Sequence, residues 1–172
     1  MTSPQRWLAL AAAVLLAAAA LWWFVFRDAD RRAVQKRLDT LLASVEKPAG
    51  EGNIAMLAKH QALTLCLDDT IRVRASLRQH RLPDLDQEYP ADQAMSLYAS
   101  LRRMCRSIAV SVRGVDITFP QPDTAHLACF ATLKATSAYG DAIEESRPVI
   151  LTFRKRNGDW RLAVAEERQV IR

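Results

Sequence analysis

Cysteine is scarce, and the motifs that announce a reaction are missing. Three cysteines in 172 residues are too few for a disulfide-stapled scaffold, and none stands in a CxxC pair of the kind that holds zinc. Glycine (5) and proline (7) are also few, which excludes collagen-like and low-complexity chains. No Gly-rich phosphate loop, no HExxH and no Ser/His/Asp order occurs. The sequence therefore assigns no metal, no cofactor and no catalytic residue. Neither sign of charge dominates: 24 basic residues stand against 19 acidic ones, for a net charge of +5. Leaving out Arg6 and Arg27, 22 basic residues face the same 19 acids. That is not the footprint of a nucleic-acid binder, and no nucleic-acid partner is expected. With 25 % charged and 50 % hydrophobic residues, the chain is expected to fold as one modest domain with an appendage.

The appendage is the one long hydrophobic run. Residues 7–26 are 20 consecutive positions without a charge, enough for a helix to span a bilayer about 30 Å thick. Trp7 stands at one end and Trp22, Trp23 and Phe24 at the other, where indole rings anchor at a membrane interface. A cleaved signal peptide is the competing reading, since Ala18, Ala19 and Ala20 offer small residues. A cut there would leave the hydrophobic stub of residues 21–26. The division expected is an N-terminal tail (1–6), a transmembrane helix (7–26) and a soluble domain (28–172). The lipid bilayer is thus the first expected partner. Arg27, Arg31, Arg32, Lys36 and Arg37 follow the run, and counted literally they keep the domain in the cytoplasm. A short tail, an anchor and one small domain is nonetheless a common layout of exported bacterial proteins. Arginine outnumbers lysine 19 to 5, a hint of a GC-rich bacterial genome. The expected location is the bacterial inner membrane, single-pass, with the domain periplasmic.

Over residues 30–47, Val34, Leu38, Leu41, Leu42 and Val45 make one helical stripe. Residues 48–53 break it. A second helix carries Ile54, Leu57, Ala58, Ala62, Leu65 and Cys66 on one side and ends at Asp68-Asp69, with a short strand over 70–75. Residues 78–90 read as a loop, with Pro90 in the first turn of a third helix. That helix has the stripe Ala94, Leu97, Tyr98, Leu101, Met104, Cys105 and Ile108, and Arg102, Arg103 and Arg106 point outward. The period then changes from helical to alternating. Ile108, Val110 and Val112 alternate in one phase, and Val115, Ile117 and Phe119 in the other. A bulge at Arg113-Gly114 puts both sets on one face. Two further alternating strands cover 125–136 and 148–156. Asn157-Gly158 is a hairpin turn signal, and the last strand runs from Trp160 to about Ile171. Helices first and strands last make an α+β fold.

This order resembles the nuclear transport factor 2-like superfamily, a cystatin-like α+β cone. The hairpin from Leu151 to Leu162, the third helix and the first helix carry the likeness, which covers about residues 30–171. The resemblance implies three helices packed on a curved, mainly antiparallel sheet of four to five strands. It says little about activity, since the superfamily includes isomerases, dehydratases, transport adaptors and membrane-anchored assembly proteins.

Enzymes of that superfamily use a pocket between helices and sheet, with an Asp or His base and a Tyr donor. The ligand-pocket candidates here are Tyr98, His126, Phe130 and Trp160. The simpler readings are a surface histidine for His126 and a core aromatic for Tyr98. Asp68-Asp69 reads as a solvated turn, and His60 and His80 as exposed. Arg72, Arg74, Arg78 and Arg81, and Arg154, Lys155 and Arg156, cluster in sequence. They suit lipid headgroups or an acidic partner, or simply protect strand edges. The cysteines read as buried free thiols. The function expected is a membrane-tethered, non-catalytic binding or scaffold module that holds an envelope protein or an apolar ligand. A homodimer through the sheet face bearing Phe130 and Ile150 is part of that expectation. The alternative is a pocket enzyme or small-ligand binder of the same superfamily.

Overall fold

The computed structural model describes residues 28–75 and 85–168. The chain divides into two units, Met1–Gln35 and Lys36–Arg172. Of the first, residues 28–35 are described, and they are helical. The expected tail and membrane helix, with Trp7, Trp22, Trp23 and Phe24, lie outside the described residues, as do Arg78, His80, Arg81 and Ile171. Among the described residues no helix is long and apolar enough to cross a membrane.

Helix α1 covers residues 28–45, and α2 is Asn53–Cys66. Strand β1 (Leu67–Ala75) and strand β2 (Leu85–Pro90) follow, then α3 (Ala91–Met104) and four long strands. These are β3 (Cys105–Gln121), β4 (Thr124–Ser137), β5 (Ala142–Arg156) and β6 (Asp159–Glu167). One six-stranded sheet results, in the order β2-β1-β6-β5-β4-β3. The expected α+β class stands, with helices on a mixed sheet. The expected four to five strands are corrected to six.

The extra strand is β2, inside the stretch read as a loop. Its sequence, LDQEYP, has no apolar alternation, because an edge strand with both faces near water needs none. Charge holds it instead: Arg72 on β1 bonds both oxygens of Asp86, at 2.7 and 2.8 Å. Pro90 ends β2 and caps α3 from outside rather than sitting in its first turn. It is tolerated at the strand edge because it has no N–H to leave unpaired. Strand β1 starts at Leu67 and lies parallel to β6, whereas every other pairing is antiparallel.

The Arg113/Asp116 register shift in the β3–β4 pairing falls at Gly114, whose φ is +64°. Residues 108, 110 and 112 and residues 115, 117 and 119 are all more buried than their neighbours. One inserted residue thus puts two alternating sets on the core face. Asn157 and Gly158 both have positive φ, 51° and 89°, as a tight hairpin turn requires.

The core lies between the helices and this sheet face. Phe153, Leu127, Ala125, Leu38 and Cys66 are fully buried, and Trp160 is nearly so. The Trp160 ring meets Phe119 edge-on, with centroids 5.8 Å apart. Arg37 ties α1 to the end of α2 and the start of β6. Its guanidinium donates to the Leu65 carbonyl at 3.2 Å and to Asp159 at 3.4 Å.

Two helices bury only part of their apolar stripes. In α3 the buried or half-buried positions are Ala91, Ala94, Met95, Tyr98, Ala99 and Arg102, while Leu97, Leu101 and Met104 of the stripe are exposed. In α2 Leu63 and Cys66 are buried, and Ile54, Leu57 and Leu65 are exposed. Arg102, expected to point outward, is among the most buried charged residues. The physical reason is that helix α1 ends beside it and leaves carbonyls that only a strong donor can satisfy.

Candidate functional site

The last turn of α1 cannot pair its own carbonyls within the helix. Arg102 comes to them from the buried face of α3. Its Nη1 donates to the carbonyls of Ser44 and Val45 at 3.4 and 3.2 Å, and to the Tyr98 hydroxyl. Its Nη2 donates to the Glu46 carbonyl at 3.1 Å and to the Glu51 carboxylate. The Tyr98 hydroxyl donates in turn to the Ser44 carbonyl at 2.8 Å. Lys59 on α2 closes the group, 2.9 Å from Glu51 and 2.8 Å from the Glu46 carbonyl. Lys47 donates to the carbonyls of Arg102 and Cys105 at 2.9 and 2.7 Å, capping the far end of α3. A buried Arg–Glu pair tolerates desolvation only when its remaining lone pairs and protons are met, and this network meets almost all of them.

Protonation follows from that geometry. Burial by itself would raise the Glu51 carboxyl, but Lys59 and Arg102 outweigh it and hold the group below the usual carboxylate range. Burial raises the Tyr98 phenol against the opposing pull of Arg102. Tyr98 therefore stays protonated, and its one proton is already committed to Ser44.

Beside this network, between α2 and α3, is a cavity of about 310 Å³. Met56, Leu57 and Ala99 supply its apolar wall, and His60, Tyr98 and Arg102 its polar groups, with Lys47 and Arg103 completing the lining. The size is at the lower end of what small-molecule sites occupy. No acid lines the cavity. Among the described residues the buried Nε of Arg102 has no hydrogen-bond partner.

Of the four pocket candidates only Tyr98 lies here. Trp160 is packed in the core against Phe119. His126 and Phe130 share the face of β4 that points away from the core, where Phe130 is exposed beneath the Arg113 guanidinium. The structure does not bring the four together. Glu51 is assigned no role from the sequence, Arg102 is expected outward but is buried, and His60 is expected exposed and is exposed. The usable signal was that Met95, Tyr98 and Arg102 recur at i, i+3 and i+7, an alternative face for α3. Asp68, expected in a solvated turn, is buried at the start of β1, whereas Asp69 is exposed. All three cysteines are unpaired, with Cys66 and Cys129 buried, and burial raises both of those thiols.

No protein-family model and no curated protein matches the chain. Solved structures do. Hexachlorocyclohexane dehydrochlorinase LinA-type3 from Novosphingobium barchaimii LL02 superimposes with a TM-score of 0.63 at 12 % identity, covering 84 % of this chain and 88 % of its own. A provisionally named scytalone dehydratase from Novosphingobium aromaticivorans gives 0.63 at 10 % identity, over 86 % and 89 %. A provisionally named dehydratase of the nuclear transport factor 2-like family from Streptomyces avermitilis gives 0.61 at 14 % identity, over 85 % and 99 %. These findings count against the expectation of a non-catalytic module: several of the solved structures that resemble this chain carry the names of enzymes. At such identities the likeness establishes architecture, and the body of this chain has the nuclear transport factor 2-like fold.

Proposed function

We propose that the cavity between α2 and α3 is the reaction chamber of a pocket enzyme that eliminates or isomerises a small, largely apolar molecule. One observation carries this reading: His60 and Arg102 line the same largely apolar cavity of about 310 Å³, whose lining includes no acid. The His60 imidazole takes a proton from a substrate carbon. The C–H electron pair becomes a new C=C bond, and the leaving group departs from the neighbouring carbon with its own bonding pair. The positive charge of Arg102 in the cavity wall favours the atom that gains negative charge, where a fixed charge acts strongly. Tyr98 and Glu51 are positioning residues, since both touch Arg102 and their bonding capacity is directed to the protein. The names of the similar structures, a dehydrochlorinase and dehydratases, support elimination as the class. The same reading keeps residues 7–26 as a bilayer anchor, supported by their 20 uncharged positions, so that apolar substrate partitions from the membrane toward the enzyme.

The test uses the full chain with two readouts. Anilinonaphthalene sulfonate, an apolar anion, is expected to fluoresce on binding, and Ala99→Trp to abolish this by filling the cavity. Chloride release from hexachlorocyclohexane is expected to slow by about 10²–10⁴-fold in His60→Gln, the usual span of a positioned base. Dye binding that Ala99→Trp leaves intact, or a His60→Gln rate equal to wild type, refutes the reading.

A further inference from the structure

The face of the sheet away from the helices carries an open groove of about 710 Å³, independent of the cavity above. At its centre four side chains form a two-by-two grid. Thr124 lies opposite Arg154 and His126 opposite Thr152 in the β4–β5 register, and all four line the groove. Cationic groups outnumber acids around it, with Arg74, Lys155 and Arg156 joining Arg154 against Asp123 and Glu166. Glu166 is already engaged by Arg74 at 3.4 Å. The side chains of His126 and Arg154, in contrast, have no hydrogen-bond or ion-pair partner among the described residues.

Edge protection does not explain Arg154. Exposed charges on a sheet commonly guard an edge strand, but β4 and β5 are interior strands in the order β2-β1-β6-β5-β4-β3. The Thr124 hydroxyl already donates to Asp123 at 3.2 Å. The planar guanidinium of Arg154, the imidazole of His126 and the hydroxyl of Thr152 instead make a donor set suited to phosphate oxygens. We propose that this groove binds a phosphomonoester, with Arg154 as the principal ligand, His126 and Thr152 completing the donor set, and the remaining volume holding the organic part.

The experiment titrates the full chain with phenyl phosphate, by calorimetry. Saturable binding is expected, weakened by about tenfold or more in Arg154→Gln, as for loss of one charge-assisted bond, and weakened again in Arg154→Gln/His126→Asn. Ala99→Trp is expected to leave it unchanged, which separates this groove from the cavity. A second arm sediments the chain with vesicles of phosphatidic acid in phosphatidylcholine. Arg154-dependent capture above pure phosphatidylcholine assigns the ester to a headgroup, and its absence assigns a soluble ester. No saturable phenyl phosphate binding, or equal affinity in Arg154→Gln at an unchanged melting temperature, overturns the proposal.

Discussion

Arg102 acts on three backbone carbonyls, one phenol and one carboxylate at once. Removing it leaves buried Glu51 with Lys59 as its remaining partner and strips the end of α1 of its cap. Arg102→Met is therefore expected to cost about 3–5 kcal/mol, the usual penalty for breaking a buried pair from one side. Urea unfolding measures it, and a loss below about 1 kcal/mol would show that the network is dispensable. Glu51 adds a pH signature. Its folded carboxyl is held below the ordinary value of 4.5, so the folded state binds its proton less readily than the unfolded state. The stability it contributes is complete above pH 4.5 and is lost as pH falls through the lowered folded value. Glu51→Gln should flatten that acid limb in thermal melts between pH 3 and pH 7 (roughly the carboxylate range), and an unaltered limb would place the effect elsewhere.

At the scale of elements, the sheet was largely legible and the helix faces were not. Alternation in β3 survives a bulge because Gly114 marks the place where the phase changes. Asn157-Gly158 sets its hairpin by local dihedral preference alone. Such signals are local, so sequence carries them. Helix orientation depends on what waits on the other side, and α3 turned Arg102 and Tyr98 inward because α1 ends there. The strand β2 escapes a sequence reading for another reason: its sequence, LDQEYP, has no apolar alternation, and charge pairing with Arg72 on the preceding strand holds it. The contrast is testable. Leu97→Lys and Leu101→Lys, at exposed positions, should each change stability by about 0.5 kcal/mol or less. Met95→Ala, at a buried one, should cost about 2–5 kcal/mol. Equal costs in urea unfolding would mean that α3 packs by its apolar stripe after all.

At the scale of the whole molecule, the reading of residues 7–26 as an anchor makes its own demand. Carbonate washing of membranes is expected to leave the full chain in the pellet. A mature product starting near Leu21 would remove the tether, while leaving the cavity and the groove of the second unit as they are. The two halves of the functional account thus fail separately. Fold class was within reach of the sequence, but the expected pocket between helices and sheet is not the cavity found, which no strand residue lines. The choice of residues around that cavity was out of reach, because His60 looks like any polar helix position until Tyr98 and Arg102 are seen beside it.

The parallel pairing of β1 with β6, Arg72 opposite Val164, has a consequence for biosynthesis. A ribosome delivers β1 before β3, β4 and β5 and delivers β6 only after them, so until β6 emerges β1 has a bare flank on which any other nascent strand can add. A premature stop before Trp160 would strand that flank permanently, and such fragments should be cleared by proteases or collect in inclusion bodies rather than persist as smaller working versions of the protein.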